Sequence, residues 1–220
     1  MTRIDLLVPS RGRPQRAAEM VASARAMAEG PVEVRVIVDR DDPELEGYRP
    51  LAPTVLDERL GYTASLNRIA RTLWHEDVIL GAFGDDVIFR TPGWDRSVRE
   101  ALATPGMAYG DDLIHGKNHP TAVFMSASIA RALGWLALPA TSHQWADDAW
   151  KLLGQQTGLL RFLPDVVVEH MHPAVHKAPW DDTYQSVFDA ERAQRDFAGY
   201  SAWAQTTAAE DAERVRRAVG

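Results

Sequence analysis

Four pairs of side chains in this sequence are suited to chemistry: Asp85-Asp86, Asp111-Asp112, Asp147-Asp148, and His170 with His172. Asp85 and Asp86 interrupt the apolar run from Asp77 to Phe89 just after Phe83-Gly84. A run so rich in Val, Ile and Phe reads as a buried strand, and in open α/β sheets ligands bind where such strands end. Two adjacent carboxylates there repel each other and are costly without a cation. A hard divalent ion such as Mg²⁺ takes carboxylate oxygens and bridges to substrate phosphates; a solvated Asp-Asp turn is the plain alternative. His170 and His172 follow a Val-rich strand, whose alternation puts both on one face. Imidazole binds transition metals readily and Mg²⁺ poorly, so a histidine ligand favours Mn²⁺. Asp147-Asp148 sits at a helix start, where the dipole alone favours acids. Asp111-Asp112, in a polar loop, reads first as a turn.

Positioning these groups falls to an alternation of strands and helices. Ile4 to Val8 is a short strand, stopped by Pro9-Ser10-Arg11-Gly12-Arg13-Pro14. Pro14 can open a helix, the alanine-rich stretch to Glu29 favours one, and Gly30-Pro31 ends it. Val32 to Val38 is the next strand and closes on Asp39, giving a right-handed βαβ unit and a parallel pair. Residues 44 to 60 read as a loop with a short strand at Thr54 to Leu56. Tyr62 to Trp74 reads as a helix whose apolar face is Leu66, Ile69, Ala70 and Leu73. The strand at 77 to 83, a helix from Trp94 to Leu102, and strands at Met107 to Tyr109 and Ala122 to Met125 follow. Helices at Ser126 to Leu133 and Trp145 to Leu153 precede strands at Leu159 to Phe162 and Val166 to His170. From Asp182 onward the chain reads as mixed-charge helix. The expectation is a three-layer α/β domain over residues 1–180 with a C-terminal helical extension, 181–220.

The 220 residues are 45% hydrophobic and 25% charged, with no cysteine and a net charge of −7. That composition is globular and excludes disulfides and zinc-thiolate sites. The negative charge argues against a broad grip on nucleic-acid phosphates. No stretch approaches the ~18 apolar residues of a membrane span, and the N-terminus lacks a signal-peptide core. The expectation is a soluble cytoplasmic protein.

The loops after the first, second and third long strands share one sheet edge. Hydroxyl, backbone and carboxylate groups there suit the edge of a base and a ribose. The order Leu-Val-Pro-Ser-Arg-Gly-Arg-Pro, then Val-Ile-Val-Asp, then Gly-Asp-Asp-Val resembles the nucleotide-sugar-dependent glycosyltransferases of the GT-A fold over roughly residues 3 to 180. It is most similar to bacterial and phage members near the large family-2 group; a phage origin would place the protein in the host cytoplasm. The resemblance implies a mixed, mostly parallel central sheet and a nucleoside-diphosphate-sugar donor held by Pro9, Ser10, Arg11, Arg13 and Asp39. It implies Mn²⁺ or Mg²⁺ on the diphosphate. The usual Asp-X-Asp triplet here reads Gly84-Asp85-Asp86, so Asp86 is the expected metal ligand, with Asp85 facing the sugar or ribose. Gly61 and Asn67 match a Gly-x₅-Asn helix start under the nucleotide, where a helix N-terminus favours anions in any case. Asp148, with Asp147 as second choice, matches the general base of inverting members. His170, then His172, matches a late-strand metal ligand, and Lys177 lies in a loop suited to close over the diphosphate.

The implied activity is metal-dependent, inverting sugar transfer to a hydroxyl of a glycan, a protein or a modified DNA base. Retention applies if the acidic pair stands far from the anomeric carbon. A sugar nucleotidyltransferase is the rival enzyme, disfavoured because only Arg11-Gly12-Arg13 stands where a Gly-rich basic signature belongs. A non-catalytic nucleotide- or glycan-binding module is the rival outside enzymes. Among the tryptophans, Trp145 is the candidate to stack on a sugar, although aromatic core packing is the commoner use. The residues after Asp182 are left as a lid, a homodimer contact or an acceptor platform.

Overall fold

Leu6 and Leu7 are neighbours in sequence, both fully buried, and they enter different cores. They lie on β1 (Arg3–Pro9) of the computed structural model, which describes residues 1–220 except Phe188. Side chains alternate across a strand, so burying both faces requires a layer on each side. Leu6 packs in the layer of α1 (Pro14–Ala26) and α3 (Trp94–Ala101). Leu7 packs in the layer of α2 (Tyr62–Leu73), α4 (Ala127–Leu133), α5 (Ala146–Thr157) and α8 (Ala208–Val219). This two-sided burial is what the unbroken apolar runs foretold.

The remaining strands are β2 (Val32–Asp39), β3 (Thr54–Leu56), β4 (Val78–Ala82), β5 (Val87–Phe89), β6 (Met107–Asp111), β7 (Val123–Ser126) and β8 (Leu160–His170). They form an eight-stranded sheet in the order β3-β2-β1-β4-β7-β6-β8-β5. β3, β2, β1 and β4 run parallel, β7 is antiparallel to β4 and β6, β6 is parallel to β8, and β5 is antiparallel to β8. The expected mixed α/β architecture is therefore present. The parallel half sends the carboxyl ends of β1, β2 and β4 to one edge, which sets Ser10, Asp39 and the Asp85-Asp86 turn side by side.

Three local departures have physical causes. The run from 77 to 89 is not one strand: it breaks at the Gly84-Asp85-Asp86 turn, and Val87–Phe89 leaves to pair with β8. The two late strands are one, β8, which changes partner along its length. Leu160–Leu163 pair with β6, the register shifts at Gly110/Asp111, and Val168–His170 pair with β5. Residues 45–51, read as loop, form a 3₁₀ turn around Tyr48, which is fully buried.

Two further helices, α6 (Asp182–Val187) and α7 (Ala190–Thr206), lead into α8. The C-terminal helices do not hang free. Trp203, Ala208, Ala212 and Val215 belong to the same core as α4 and α5. Asp196 of α7, itself buried, accepts hydrogen bonds from the backbone amides of Ser142, His143 and Gln144 and from the Ser142 hydroxyl. That clamp fixes the loop that feeds α5. Among the described residues no helix is long and apolar enough to cross a membrane.

Candidate active site

The edge where β1, β2 and β4 end opens into a cleft of about 1190 Å³. Its border includes Pro9, Ser10, Arg11 and Arg13 after β1, Asp39 from β2, Gly61 before α2, and Gly84, Asp85 and Asp86 after β4. Asp147 and Asp148 from α5 and His170 and His172 from the end of β8 complete it.

Asp85 and Asp86 are adjacent but point at different partners. Asp85 is buried and accepts from the Ser10 hydroxyl at 2.6 Å and from Arg13 Nη1 at 3.2 Å. The Ser10 hydroxyl and the Arg13 amide both meet the buried Tyr48 hydroxyl, at 2.8 and 2.7 Å, so the 3₁₀ turn holds the β1 loop in place. Asp86 Oδ2 accepts from the Tyr184 hydroxyl at 2.8 Å and lies 3.5 Å from His170 Nε2. Pairing of Val87 with His170, and the Met171 amide on the Asp86 carbonyl at 2.8 Å, bring the imidazole to the carboxylate. Burial, aided by the Asp86 charge, pushes Asp85 up to about 6 against Arg13 and Ser10. Burial opposes ionisation of Asp86 too, but His170 and Tyr184 hold it well below the usual carboxylate range. A Cβ at Gly84 would stand 2.6 Å from Asp86 Oδ1, so a side chain there would require that carboxylate to shift.

The donor set fits a divalent cation. An ionised carboxylate and an imidazole converge, and among the described residues buried His170 Nδ1 has no hydrogen-bond partner. The His172 ring lies 5.2 Å from that of His170, and its Nδ1 accepts from the Ala174 amide. Oxygen and nitrogen ligands together favour Mn²⁺ over Mg²⁺.

Across the cleft, α5 begins at Trp145, a non-glycine residue with φ 68° and ψ 3°. Such a backbone persists where packing over-determines it. The Trp145 ring stacks on Tyr200 with centroids 5.5 Å apart and leans on Phe197 at 4.9 Å. Asp147 Oδ2 lies 2.8 Å from His119 Nε2, and Asp147 Oδ1 accepts from the Asp148 amide at 3.0 Å. Burial is outweighed at Asp147 by His119, which lowers it, whereas burial and the Asp147 charge raise Asp148.

Two expected residues stand off the border of the cleft. Asn67 does not border the cleft: it is buried, with Oδ1 accepting from the Leu136 and Ala137 amides and Nδ2 donating to the Ala137 carbonyl. Ser65 of α2 borders the cleft, and two residues further along the helix the side chain has turned by about 200°, away from it. Lys177 also lies off the cleft border, with Nζ 2.9 Å from Glu169 Oε1. The interior cation is Arg13, which chelates Asp181 through Nε and Nη2 and lies 3.9 Å over the Tyr184 ring. Tyr184 and His119 were missed because their partners are 98 and 28 residues away, beyond the reach of local pattern. Asp112, the third acidic pair's second member, is a turn residue as expected, accepting from the amides of Ile114, His115 and Gly116.

No family model matches the sequence, and no curated protein matches it. Solved structures do. A mannosyltransferase from Pyrobaculum calidifontis, in complex with GDP-Man and Mn²⁺, superposes with TM-score 0.60 at 13% identity over 98% of this chain and 73% of its own. Glucosyl-3-phosphoglycerate synthase from Mycobacterium tuberculosis, in complex with Mn²⁺, UDP and phosphoglyceric acid, gives 0.61 at 11% over 90% and 78%. S. aureus TarS residues 1–349 give 0.60 at 13% over 99% and 83%, while this chain spans 44% of a longer TarS structure. At such identities the likeness is one of fold, and the fold of this chain is the mixed α/β sandwich shared by these transferases.

Proposed function

We propose that this protein is a metal-dependent glycosyltransferase that moves a sugar from a nucleoside diphosphate to an acceptor hydroxyl with inversion. The observation that carries the reading is the meeting of Asp86 and His170, 3.5 Å apart, on the border of one cleft with Arg13 and Asp148. The solved structures of the same fold with GDP-Man and Mn²⁺, or UDP and Mn²⁺, support the donor class.

Asp86 and His170 would hold the cation, with His172 beside them. When bound, it supplies Lewis-acid charge to the diphosphate. The β1 loop and Asp39 bind and orient the base and ribose, and Arg13 adds fixed positive charge at the phosphates. Arg11, 3.6 Å from Asp39, helps keep that carboxylate oriented. The acceptor oxygen bonds to the anomeric carbon as the bond from that carbon to the diphosphate oxygen breaks. The electron pair leaves with the diphosphate, and the hydroxyl proton passes to Asp148. A glycan, a protein hydroxyl or a modified base satisfies that step equally.

Thermal unfolding with UDP-, GDP- and TDP-sugars, with and without Mn²⁺, tests the reading. A ligand at 100 times its Kd stabilises by about 2.7 kcal/mol, so a metal-dependent shift with one base is expected and should vanish in Asp86→Ala. Slow Mn²⁺-dependent hydrolysis of that donor separates an enzyme from a binding module. Nucleotide binding that survives Asp148→Asn unchanged, with no turnover of any donor by the wild type, leaves only the module.

A further inference from the structure

His119 lies on the loop between β6 and β7, on the border of the cleft, where nothing in the sequence marks it out. We infer that His119 is a positioning residue that occupies Asp147 and thereby leaves Asp148 as the one carboxylate of the pair able to take a proton. The inference rests on the glycosyltransferase reading and adds a residue to its machinery.

The geometry is asymmetric between the two acids. Both oxygens of Asp147 are committed, Oδ2 to His119 Nε2 at 2.8 Å and Oδ1 to the Asp148 amide at 3.0 Å. Among the described residues no donor from another residue reaches the Asp148 carboxylate within hydrogen-bond distance. A carboxylate whose lone pairs already accept two hydrogen bonds is a poor proton acceptor, because those bonds stabilise its ionised form. A neighbour without them, beside a fixed negative charge, is a better one. Occupying Asp147 also fixes the first turn of α5 and so the direction of the Asp148 side chain.

The loop that carries His119 is itself locked, so its histidine arrives ordered. Buried Asp112 accepts from the amides of Ile114, His115 and Gly116, from the Thr121 hydroxyl at 3.1 Å, and faces the His115 ring at 2.8 Å. Tyr109 donates its hydroxyl to the Lys117 carbonyl at 2.7 Å. Such support around a reacting group is how its orientation is held without loss of entropy at the moment of reaction. His119, Asp147 and Asp148 also form the one group of three or more acidic or histidine side chains, among the described residues, whose ligand atoms all lie within 4.8 Å. A second cation bound by this group is the competing role.

The test is Mn²⁺-dependent hydrolysis of UDP-glucose, GDP-mannose and TDP-glucose, with water as acceptor. It compares the wild type, His119→Ala, His119→Gln and Asp147→Asn. Expected is a fall of about tenfold in kcat for His119→Ala, a fraction of the full worth of a general base. Donor KM and the Mn²⁺-dependent thermal shift by the matching nucleoside diphosphate should stay unchanged. His119→Gln should recover most of the loss, because its amide still donates to Asp147. The double variant His119→Ala/Asp147→Asn should fall no further than its worse single, since the two act as one unit. Wild-type kcat in His119→Ala overturns the inference. So do equal losses in the Ala and Gln variants accompanied by loss of the nucleotide shift, or a second equivalent of bound Mn²⁺ in the wild type that His119→Ala removes. An inert wild type with no nucleotide shift instead removes the glycosyltransferase reading and this inference with it. An active wild type with an unaffected His119→Ala removes this inference alone.

Discussion

Asp85-Asp86 and Asp147-Asp148 are the same dipeptide on the border of one cleft, and their surroundings separate them. On the β4 side every carboxylate is spoken for: Ser10 and Arg13 hold Asp85, and Tyr184 and His170 hold Asp86. On the α5 side Asp147 is held by His119, and among the described residues no donor from another residue reaches the Asp148 carboxylate. In the first pair Asp86 is held ionised, suited to anchoring a cation, while Asp85 is raised by burial but locked on Ser10 and Arg13. The second contains one carboxylate raised by burial and by its neighbour, suited to taking a proton. Each pair holds one raised and one lowered carboxylate, and the supply of hydrogen-bond donors decides whether the raised one is locked, as Asp85 is, or left open to a proton, as Asp148 is.

The largest expected effect breaks the two walls apart. Asp148→Asn should lower kcat by about 10²–10⁴-fold, the range of a lost general base, while leaving the Mn²⁺-dependent nucleotide shift intact. Asp86→Ala should remove that shift. If both variants lose binding alike, the walls do not divide binding from chemistry. The pH profile sharpens the same contrast. A base acts ionised, so the rate should fall as pH drops through the Asp148 pKa, at a higher pH than for an ordinary carboxylate. Asp147→Asn should move that acid limb to lower pH, because the Asp147 charge is the second cause of the rise after burial.

The β4 wall was far more legible in the sequence than the α5 wall. Unbroken apolar runs and Pro-Gly punctuation placed β1, β2, β4, α1 and α2, and parallel pairing then put Ser10, Asp39 and Asp86 on one edge. Strand alternation put His170 and His172 on one face, but β8 ends at His170, and the turn after it brings the two rings within 5.2 Å. What escaped was set by pairings far apart in the chain. Tyr184 reaches Asp86 from a helix of six residues, and Asn67 matched a spacing while its helical phase turned it inward. The segment after residue 181 reads in sequence only as mixed-charge helix, with no partner attached. Only the fold shows Asp196 clamping the turn before α5 and Val215 completing the core.

Asn67 yields the next prediction, on stability in place of rate. Asn67→Ala strands two buried amides and one buried carbonyl, at about 1–3 kcal/mol for each unsatisfied group before relaxation. A loss of about 3 kcal/mol in urea unfolding is expected, with the nucleotide shift per unit of ligand unchanged. A variant of full stability and weakened nucleotide binding would return Asn67 to the donor site.

Asp112 extends the comparison to an acidic pair that stands off the cleft border. Burial alone would raise it, but the His115 ring and the loop amides hold it down at about 2. Its folded pKa lies below the unfolded value, so the stabilisation is complete above about pH 4 and is lost as pH falls toward 2. The difference from an ordinary Asp is worth about 2 kcal/mol. Asp112→Asn should lose roughly that amount at pH 7 and show a flatter decline in stability between pH 4 and 2.

Lys177 carries the smallest expected effect. Its partner Glu169 also receives Arg90, at 2.7 Å, so removing the lysine leaves that carboxylate paired. Lys177 and Glu169 are both partly open to solvent, where ion pairs contribute about 0–1 kcal/mol and salt weakens them. Lys177→Ala should therefore shift unfolding by less than about 1 kcal/mol and leave donor KM unchanged, while Arg13→Ala, which strips Asp85 and Asp181 of their shared cation, should raise donor KM. The contrast between the two cations matters because each lies where a charge for the diphosphate would be sought. A tenfold rise in donor KM for Lys177→Ala would mean that the loop after β8 swings inward when donor binds. Saturation with donors at the β4 wall would then describe the resting cleft and not the working one.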